Sequence, residues 1–410
     1  MKVIQINVTY GDVDSTGRNV KELHKYLLSK GVDSQVYTTK INDSSKIDKR
    51  IHFFSSCCDQ KVHAFLSRLT GRQGYFSYFT TKNLIFRLSM QKPDVIVLHV
   101  LHSNCINFPE LFKYLSSNNI PLVIVLHDCW YFTGHCCHFA ELKCNQWEKE
   151  CLHCPQIHKW NKSWFFDTAR ICLRDKKKWF TSISRLGVIG VSDWITREAQ
   201  KSILKDATII QRIYNWIDLD TFKPRNTSKL RRKLGIAENQ KVILGVASEW
   251  SNQKGLQEMI IAAKQIPEVK IIMIGKIPLN IELPSNIIKV GVIKNPVELS
   301  EYYSLADVFL NPSVQETFGK TTAEALSCGT PVIVYNTTAC TELVGNHCGK
   351  VVAKDDKEYY IQSIYRQLAE NKESSSALCR KFAIKNFSAC DRMRDYKEVL
   401  NAITGISVKE

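Results

Sequence analysis

The sequence has no long apolar run. No window of about 18 consecutive residues is both apolar and uncharged, so we predict no membrane-spanning helix. The opening residues, Met1 to Val8, become polar too quickly to supply the apolar segment of a secretory signal. We therefore expect the protein to be made and kept in the cytoplasm, with its 15 cysteines as free thiols or metal ligands rather than disulfides.

Acidic residues are fewer than basic residues in this chain. The chain has 40 Asp and Glu residues against 56 Lys and Arg residues, which gives a formal net charge of +16. Such an excess indicates an anionic partner, which could be a nucleotide phosphate, a membrane surface or a nucleic acid, or it serves solubility alone. Because the chain carries no recognisable DNA- or RNA-binding module, we expect no nucleic-acid partner.

Repeats of short period are absent too, and the chain instead alternates strands with helices. A Val- and Ile-rich strand over 2–8 precedes a loop over 10–18, an amphipathic helix and a strand over 34–38. The later predicted strands cover 93–99, 121–127, 186–192, 241–247, 269–274, 287–290, 308–311 and 331–335. A basic segment over 222–233 divides the series. The pattern predicts an α/β chain of two doubly wound, Rossmann-like domains that face each other across a cleft.

The segment after the strand 308–311 carries the strongest chemical signal. Glu316 and Gly319 lie in a loop, and Glu324 lies on the helix that runs from this loop to Ser327. A helix N-terminus offers unpaired N–H groups and partial positive charge, and glycine allows close backbone approach, so the segment suits a phosphorylated ligand. Each carboxylate can hold a pair of sugar hydroxyls. The plain alternative is a surface loop followed by a solvated glutamate.

The whole segment 311–331 resembles the donor-site signature of glycosyltransferase family 4. The resemblance lies in Glu316, Phe318-Gly319, Glu324-Ala325 and the sequence from Cys328 to Pro331. Further stretches similar to the family are 215–224, 291–293 and 295–313, so the resemblance covers nearly the whole chain. It implies the GT-B fold and a retaining mechanism.

The resemblance also implies a domain plan and a reaction. An acceptor-side domain is expected over 1–212 with a Cys- and Trp-rich insert over about 128–164, and a nucleotide-sugar-binding domain over 213–385. A C-terminal helix over 386–410 can return to the first domain. The implied reaction moves a hexose from a UDP- or GDP-type donor to a glycan or lipid-linked oligosaccharide, in bacterial capsule, O-antigen or exopolysaccharide synthesis. No cofactor is expected for catalysis.

Residue roles follow from the same resemblance. Glu324 is expected to bind the ribose hydroxyls of the donor, and Glu316 to contact the donor sugar as a catalytic residue. The other donor-binding candidates are Gly17, Arg18, Glu249, Lys254, Ile293, Thr317, Phe318, Gly319 and Lys320.

The sequence departs from the family pattern at two places. The position that usually holds a diphosphate-binding arginine is Glu249, whereas the accompanying lysine is present as Lys254. Either Glu249 points away and another cation such as Arg18 substitutes, or it binds a sugar hydroxyl or the base. In the first loop, the usual adjacent glycines are replaced by Ser15-Thr16 before Gly17.

Two histidines end predicted strands of the first domain. His127, followed by Asp128, resembles the family's active-site histidine region, which implies a catalytic contact with the donor sugar's primary hydroxyl. His99 ends another strand, and His99 and Asp128 are the acceptor-side candidates. A lone histidine is more often structural, but two at strand ends of one sheet favour a site.

The insert is rich in cysteine. Its Cys-x-x-Cys spacing is typical of metal ligands, so a structural zinc site is one interpretation and a loop of packed thiols is the other. The candidate ligands are Cys136, Cys144, Cys151 and Cys154, with His138 and His153 as alternatives. Similar inserts occur in polysaccharide-assembling members of the family, and a catalytic metal is not expected.

Basic and aromatic residues share three segments, 63–88, 162–166 and 170–180. Such a surface can rest on anionic lipid, which would place the protein peripherally on the inner face of the cell membrane. An equally weighted alternative is that these helices turn an apolar stripe toward the core and leave their lysines in solvent.

The sequence leaves rival functions open. They are a nucleotide-sugar epimerase or hydrolase of the same fold, and a non-catalytic basic protein that binds membrane or nucleic acid.

Overall fold

A computed structural model describes residues 1–12, 14–42 and 48–407. Val13 of the predicted first loop and the last three residues of the predicted segment 386–410 lie outside these ranges. The chain divides into two compact units. The first comprises Met1–Ile213 together with Met393–Glu410, and the second comprises Tyr214–Arg392.

Parallel strands make up the first unit's sheet. The strands of this unit are β1 (Lys2–Ile6), β2 (Thr9–Gly11), β3 (Asp33–Thr38), β4 (Lys40–Asn42), β5 (Ile51–Phe53), β6 (Val95–Leu98), β7 (Leu122–Leu126), β8 (Leu186–Gly190) and β9 (Ile209–Arg212). Among the described residues the main sheet has the order β5-β3-β1-β6-β7-β8-β9, and β2 pairs with β4 separately. The chain starts in the middle at β1, moves outward through β3 and β5, and then restarts at β6 on the other side.

The helices of the first unit follow the amphipathic pattern of a doubly wound fold. They are α1 (Ser15–Ser29), α2 (Cys57–Thr70), α3 (Tyr78–Gln91), α4 (Phe108–Ser117), α5 (Ala169–Thr181) and α6 (Asp193–Lys201). In α1 the side chains of Val20, Leu23 and Leu27 recur at helical spacing and are fully buried. The Asp14 carboxylate caps this helix by accepting a hydrogen bond from the Gly17 N–H at 2.8 Å.

The second unit repeats the design. Its strands are β10 (Val242–Glu249), β11 (Lys270–Lys276), β12 (Ile287–Val290), β13 (Val308–Asn311), β14 (Val332–Tyr335) and β15 (Gly349–Val352). Its helices are α7 (Ser228–Lys233), α8 (Leu256–Gln265), α9 (Pro296–Leu305), α10 (Lys320–Ser327), α11 (Lys357–Ala369) and α12 (Lys372–Phe387). A last helix, α13 (Ala389–Thr404), is shared between the units, which divide at Met393. The described strands of the second unit's sheet are all parallel, in the order β12-β11-β10-β13-β14-β15.

The predicted α/β class is confirmed. The bounds of β12 and β13 coincide with the predicted 287–290 and 308–311, whereas β1 ends at Ile6 rather than at Val8. The strands β2, β4, β5, β9 and β15 were missed. Within the described part of the chain, no helix combines the length and the apolar character needed to cross a membrane.

Candidate functional site

The second sheet reverses its direction of growth between β10 and β13. These two strands are adjacent, with Ile243 beside Val308 and Leu244 beside Phe309, and the chain proceeds outward from each in opposite directions. Open α/β sheets bind ligands outside the carboxyl ends of the strands at such a reversal, because the loops diverge there and leave a crevice. The loops after β10 and β13 are therefore the first place to look for a ligand site.

These two loops bring together Lys254 and Glu316. The Lys254 Nζ atom lies 2.6 Å from a carboxylate oxygen of Glu316, and the lysine and glutamate side chains are 39% and 19% exposed. Burial alone would lower the pKa of Lys254, but the Glu316 carboxylate outweighs burial and raises it. The result is a fixed, partly accessible ammonium group at the reversal point, which suits an anionic ligand.

Gly255 lets the two loops approach each other. Its φ of +78° lies in the left-handed region, and a Cβ atom at this position would come within 2.2 Å of the Pro312 ring. A side chain at 255 would therefore push the β10 loop, and with it Lys254, away from the β13 loop. We did not single out Gly255 from the sequence, although a glycine directly after the predicted phosphate-binding lysine was a usable signal.

Helix α10 begins beside this ion pair without a capping side chain. Among the described residues no side chain caps it, because the N-cap is Gly319 at a φ of +91°. The Thr322 N–H turns back to the Gly319 carbonyl oxygen at 3.0 Å, and the start of the helix presents its partial positive charge to a ligand or solvent. The Asn311 amide donates a hydrogen bond to the Thr322 hydroxyl at 2.9 Å, which ties the end of β13 to the first turn of the helix.

Glu324 is buried on the same helix. It is 6% exposed, and its Oε2 atom accepts a hydrogen bond from the Tyr303 hydroxyl at 3.0 Å. Burial, and then the charge of Glu324, raise the pKa of Tyr303 well above its ordinary value, so the phenol stays a donor. Tyr303 thereby holds one carboxylate oxygen in a fixed orientation, a role that the sequence did not reveal.

The remaining donor candidates of this unit occupy different environments. Phe318 is 2% exposed, and its ring packs against Tyr214 and Phe387, so its side chain is an anchor and only its backbone can face a ligand. Thr317, Lys320 and Ile293 are half-buried in or beside loops, and Glu249 is exposed at the end of β10. Their contacts with a donor stay a prediction.

In the first unit, the prediction that Gly17 and Arg18 lie in a loop is wrong. Both belong to the first turn of α1, because Asp14 caps the helix from just ahead of them. The Arg18 guanidinium donates a hydrogen bond to the Asp12 carbonyl oxygen at 2.9 Å. A Cβ atom at Gly17 would lie 3.1 Å from an oxygen of Asp14, so glycine here accommodates the cap rather than a left-handed turn. Their role in donor binding stays a prediction.

The histidine candidates lie at the carboxyl ends of two adjacent strands. His99, after β6, is 2% exposed and lies 3.2 Å (Nδ1 to Nε2) from the half-buried His127, which follows β7. The other His99 nitrogen, Nε2, lies 3.2 Å from the Gln5 amide oxygen. Burial, and then His127, hold the pKa of His99 well below its ordinary value. His99 is thus a neutral, buried neighbour of His127, and it is placed to orient that ring. The roles of His99 toward an acceptor and of His127 toward the donor sugar stay predictions.

Asp128 pairs with a histidine that was not among the chosen site residues. Its Oδ2 lies 2.7 Å from His102 Nε2, and its Oδ1 accepts a hydrogen bond from the Trp130 N–H at 2.8 Å. Burial alone would raise the pKa of Asp128, but His102 and the Trp130 N–H outweigh burial and lower it to about 2. Asp128 is therefore ionised and firmly held.

The four cysteines of the predicted zinc site lie in the insert, with Cys136 and Cys151 buried and Cys144 and Cys154 half-buried. After burial, Cys154 and Cys151 raise the pKa of Cys136, so these thiols are neighbours. They are not the set whose ligand atoms lie within 4.8 Å of one another in the described chain. A zinc ion would have to draw the four sulfurs together, and the site stays a prediction.

The chain is similar in sequence to known glycosyl transferases. Residues 226–385, which lie within the second unit, match the family model described as "Glycosyl transferases group 1". The chain is 33% identical over 137 residues to "Alpha-monoglucosyldiacylglycerol synthase" of Streptococcus pneumoniae, covering 30% of this chain and 31% of that protein. It is 22% identical over 387 residues to "Putative colanic acid biosynthesis glycosyl transferase WcaC" of Escherichia coli, covering 90% of this chain and 92% of that protein. Apart from WcaC, the stronger matches span 31% to 50% of the relatives' length.

Solved structures match over the whole chain. Sucrose-phosphate synthase from Thermosynechococcus elongatus superimposes with a TM-score of 0.70 at 17% identity, covering 99% of this chain and 100% of that one. The Anabaena protein Alr3699/HepE, solved in complex with UDP and glucose, gives a TM-score of 0.66 at 16% identity, covering 98% and 100%. These matches confirm the predicted GT-B fold.

Proposed function

We propose that this chain, whose second unit is similar in sequence to group 1 glycosyl transferases, is a retaining glycosyltransferase. It transfers a hexose from a UDP- or GDP-type nucleotide sugar to a glycan. The observation that carries the proposal is the Lys254–Glu316 ion pair at the reversal point of the second sheet, beside the uncapped start of α10. A lysine and the N-terminus of a helix together make a diphosphate site, and carboxylates beside them suit sugar hydroxyls.

The donor is held by residues of three kinds. The first N–H groups of α10 and the Lys254 ammonium contact the diphosphate. The ammonium contacts the Glu316 carboxylate at the same time. Glu316 also accepts hydrogen bonds from hydroxyls of the donor sugar. Glu324, oriented by Tyr303 at 3.0 Å, accepts those of the ribose.

The reaction breaks the bond between the anomeric carbon and the diphosphate oxygen and forms a bond from that carbon to the acceptor hydroxyl oxygen. The acceptor's proton passes to the departing diphosphate. Negative charge grows on the leaving oxygen as the bond breaks, and Lys254 and the α10 N-terminus stabilise it. In retaining transfer the acceptor attacks from the face that the diphosphate leaves.

Similarity favours a UDP-type donor and a cell-surface glycan as first choices. The Anabaena protein with the same fold was solved in complex with UDP and glucose, and WcaC is named for colanic acid biosynthesis. We propose that the acceptor is a growing, lipid-linked glycan of a capsule, O-antigen or exopolysaccharide. The reaction would then take place in the cytoplasm at the inner face of the cell membrane.

A surface of the first unit supports the membrane location. Phe65, Trp164, Phe165 and Phe166 are 46% to 69% exposed, and the rings of Phe65 and Trp164 are 5.8 Å apart. The exposed basic residues of the segments 63–88 and 162–166 are Arg68, Arg72, Lys82 and Lys162. Aromatic side chains among cations fit an anionic lipid interface.

The third segment predicted for this surface, 170–180, turns inward instead. Phe180 is buried, Trp179 stacks on Phe108 at 5.9 Å between ring centroids, and the Lys176 ammonium is buried against the carbonyl oxygens of Trp130 and Thr133. The core-facing alternative thus holds for this segment. The membrane proposal rests on the exposed aromatic residues named above.

Donor use is tested with a panel of UDP- and GDP-sugars in a thermal-shift assay, followed by nucleoside diphosphate release with and without oligosaccharide acceptors. We expect selective stabilisation by one donor, because a ligand that binds only the native state raises its stability. Release should depend on acceptor. Acceptor-independent release would favour the hydrolase, and conversion of the donor sugar would favour the epimerase. A salt-dependent shift with duplex DNA and no donor binding would favour the nucleic-acid alternative.

Membrane binding is tested by flotation with vesicles of phosphatidylcholine alone or with about one third phosphatidylglycerol, an anionic surface of the kind that attracts basic segments. We expect the protein to float only with the anionic vesicles and the F165S/F166S variant to stay at the bottom. L279S is the control, because Leu279 is fully exposed in the second unit. Equal flotation of all three proteins would refute the proposed surface.

A further inference from the structure

Three metal-ligating side chains converge in the first unit. They are His102, from the loop after β6, Asp128, from the loop after β7, and Cys137, from the insert. Their ligand atoms all lie within 4.8 Å of one another. His102 Nε2 lies 2.7 Å from Asp128 Oδ2 and 3.8 Å from Cys137 Sγ.

The arrangement is not that of a nucleophilic cysteine activated by a histidine and an aspartate. Such a relay uses both ring nitrogens, one toward the nucleophile and the other toward the carboxylate. Here the carboxylate and the thiol both face the same nitrogen of His102, Nε2. Three ligand atoms within 4.8 Å of one another instead suit the coordination of one metal ion.

The distances suit zinc. Tetrahedral Zn²⁺ bonds separate a nitrogen and an oxygen ligand by roughly 3.3 Å, and a nitrogen and a sulfur ligand by roughly 3.6 Å. The observed 2.7 Å between His102 and Asp128 would open by about half an ångström, and the observed 3.8 Å to Cys137 would close slightly. One nitrogen, one oxygen and one sulfur ligand form a borderline-soft set, which favours zinc or cobalt over magnesium or calcium.

Outer contacts hold two of the ligands in place. The Trp130 N–H binds the second oxygen of Asp128, and the Asn161 amide donates to Cys137 Sγ at 3.6 Å and to the His135 carbonyl oxygen at 3.2 Å. Metal sites in proteins depend on such contacts to aim their ligands. The His102 and Asp128 side chains are 21% and 14% exposed, so solvent reaches the cluster.

We propose that His102 Nε2, Asp128 Oδ2 and Cys137 Sγ form a Zn²⁺ site with three protein ligands and a fourth position open to water or to a substrate oxygen. This site is distinct from the four-cysteine set of the insert, with which it shares no ligand. It lies in the first unit and does not depend on the donor site of the second.

The test is a titration of the full-length, chelator-treated protein with Co²⁺, which reports thiolate ligands through a charge-transfer absorption band. We expect one equivalent to bind with a band about a quarter as intense as four thiolates would give, since this site supplies one sulfur. C137S should lose this band, and H102Q should bind Co²⁺ at least 10-fold more weakly. C151S, which changes the other cysteine set, is the matched control and should keep the band. N161A leaves all three ligands present and should weaken binding by about 10-fold, as outer-contact losses do.

Two results would overturn the proposal. One is a wild-type protein that binds no Co²⁺ or Zn²⁺. The other is a thiolate band that survives in C137S and disappears in C151S. X-ray absorption of the zinc-loaded wild-type protein decides the matter if C137S or H102Q does not fold. A first shell of mixed nitrogen, oxygen and sulfur atoms at one equivalent supports the site, and a shell of sulfur alone contradicts it.

Discussion

Replacing Lys254 by methionine separates the two roles that a lysine in an ion pair can have. Two unit charges about 4 Å apart interact by about 4 kcal/mol at an effective dielectric constant of 20. The Lys254 side chain is 39% exposed, so screening reduces what the pair with Glu316 adds to folding to at most about 1 kcal/mol. When the diphosphate leaves, negative charge develops on its oxygen beside the Lys254 ammonium, which stabilises that charge. Loss of one such contact lowers the rate by roughly 10²- to 10³-fold.

We therefore expect K254M to lower kcat/KM by about 10²- to 10³-fold while its melting temperature falls by only a few degrees. The assay is nucleoside diphosphate release with saturating acceptor, alongside thermal unfolding of both proteins. K241M is the matched control, because Lys241 precedes the same strand, pairs with Asp307 at 3.5 Å and is 43% exposed. It lies at the amino end of β10, so its loss should leave kcat/KM unchanged. Equal activity of K254M and wild type would refute the diphosphate role, and equal losses in both variants would show a general effect of charge.

Three further predictions concern stability and pH. G255A should lose about 2–4 kcal/mol of unfolding free energy, because a left-handed φ and a steric clash act together, whereas G235A, at a φ of +64° in open space, should lose about 1 kcal/mol. In the folded protein, His63 Nε2 accepts a hydrogen bond from the Gly74 N–H, and burial lowers the pKa of His63 to about 4. Because the imidazole in the unfolded chain is protonated at a higher pH, the free energy of unfolding should fall by on the order of 3 kcal/mol as the pH drops from 6.5 to 4. Y303F should cost about 1–3 kcal/mol of stability and weaken donor binding, because the buried carboxylate of Glu324 loses a hydrogen-bond donor.

Urea unfolding measures the stability effects, at one pH for the glycine variants and Y303F and at two for His63, and a donor titration measures the affinity of Y303F. Equal losses in G255A and G235A would show that the approach of the two loops does not matter. For His63, the test compares wild type with H63Q at pH 7 and pH 4.5, and parallel curves would refute its contribution. Unchanged donor affinity in Y303F would mean that Tyr303 does not orient Glu324 for the ligand.

Long apolar strands were predictable because their side chains are buried on both faces of a parallel sheet. The strands β6 and β7 show this in their continuous runs of Val, Ile and Leu. The missed strands β9 and β15 are short, carry Gln, Arg, Lys or Gly, and are mostly half-buried at the outer ends of the sheets. Nothing in their local sequence distinguishes them from loops, because the neighbouring strand completes their pairing.

The donor residues were predictable one by one but their pairing was not. Lys254 and Glu316 are 62 residues apart, and only the adjacency of β10 and β13 brings them together. The start of α1 was misplaced because Gly17 was assigned to a loop, although Asp14 ahead of Ser15 and Thr16 is a standard N-cap signal. The pairing of His102 with Asp128 likewise depends on the order of strands rather than on spacing.

A crystal structure of the protein with its preferred nucleotide sugar tests the donor site most directly. We predict that diphosphate oxygens lie within roughly 2.7–3.2 Å of the first N–H groups of α10 and of Lys254 Nζ. The ribose should contact Glu324 and the sugar should contact Glu316. A donor bound elsewhere, or one whose phosphates face away from the start of α10, would contradict the proposed site.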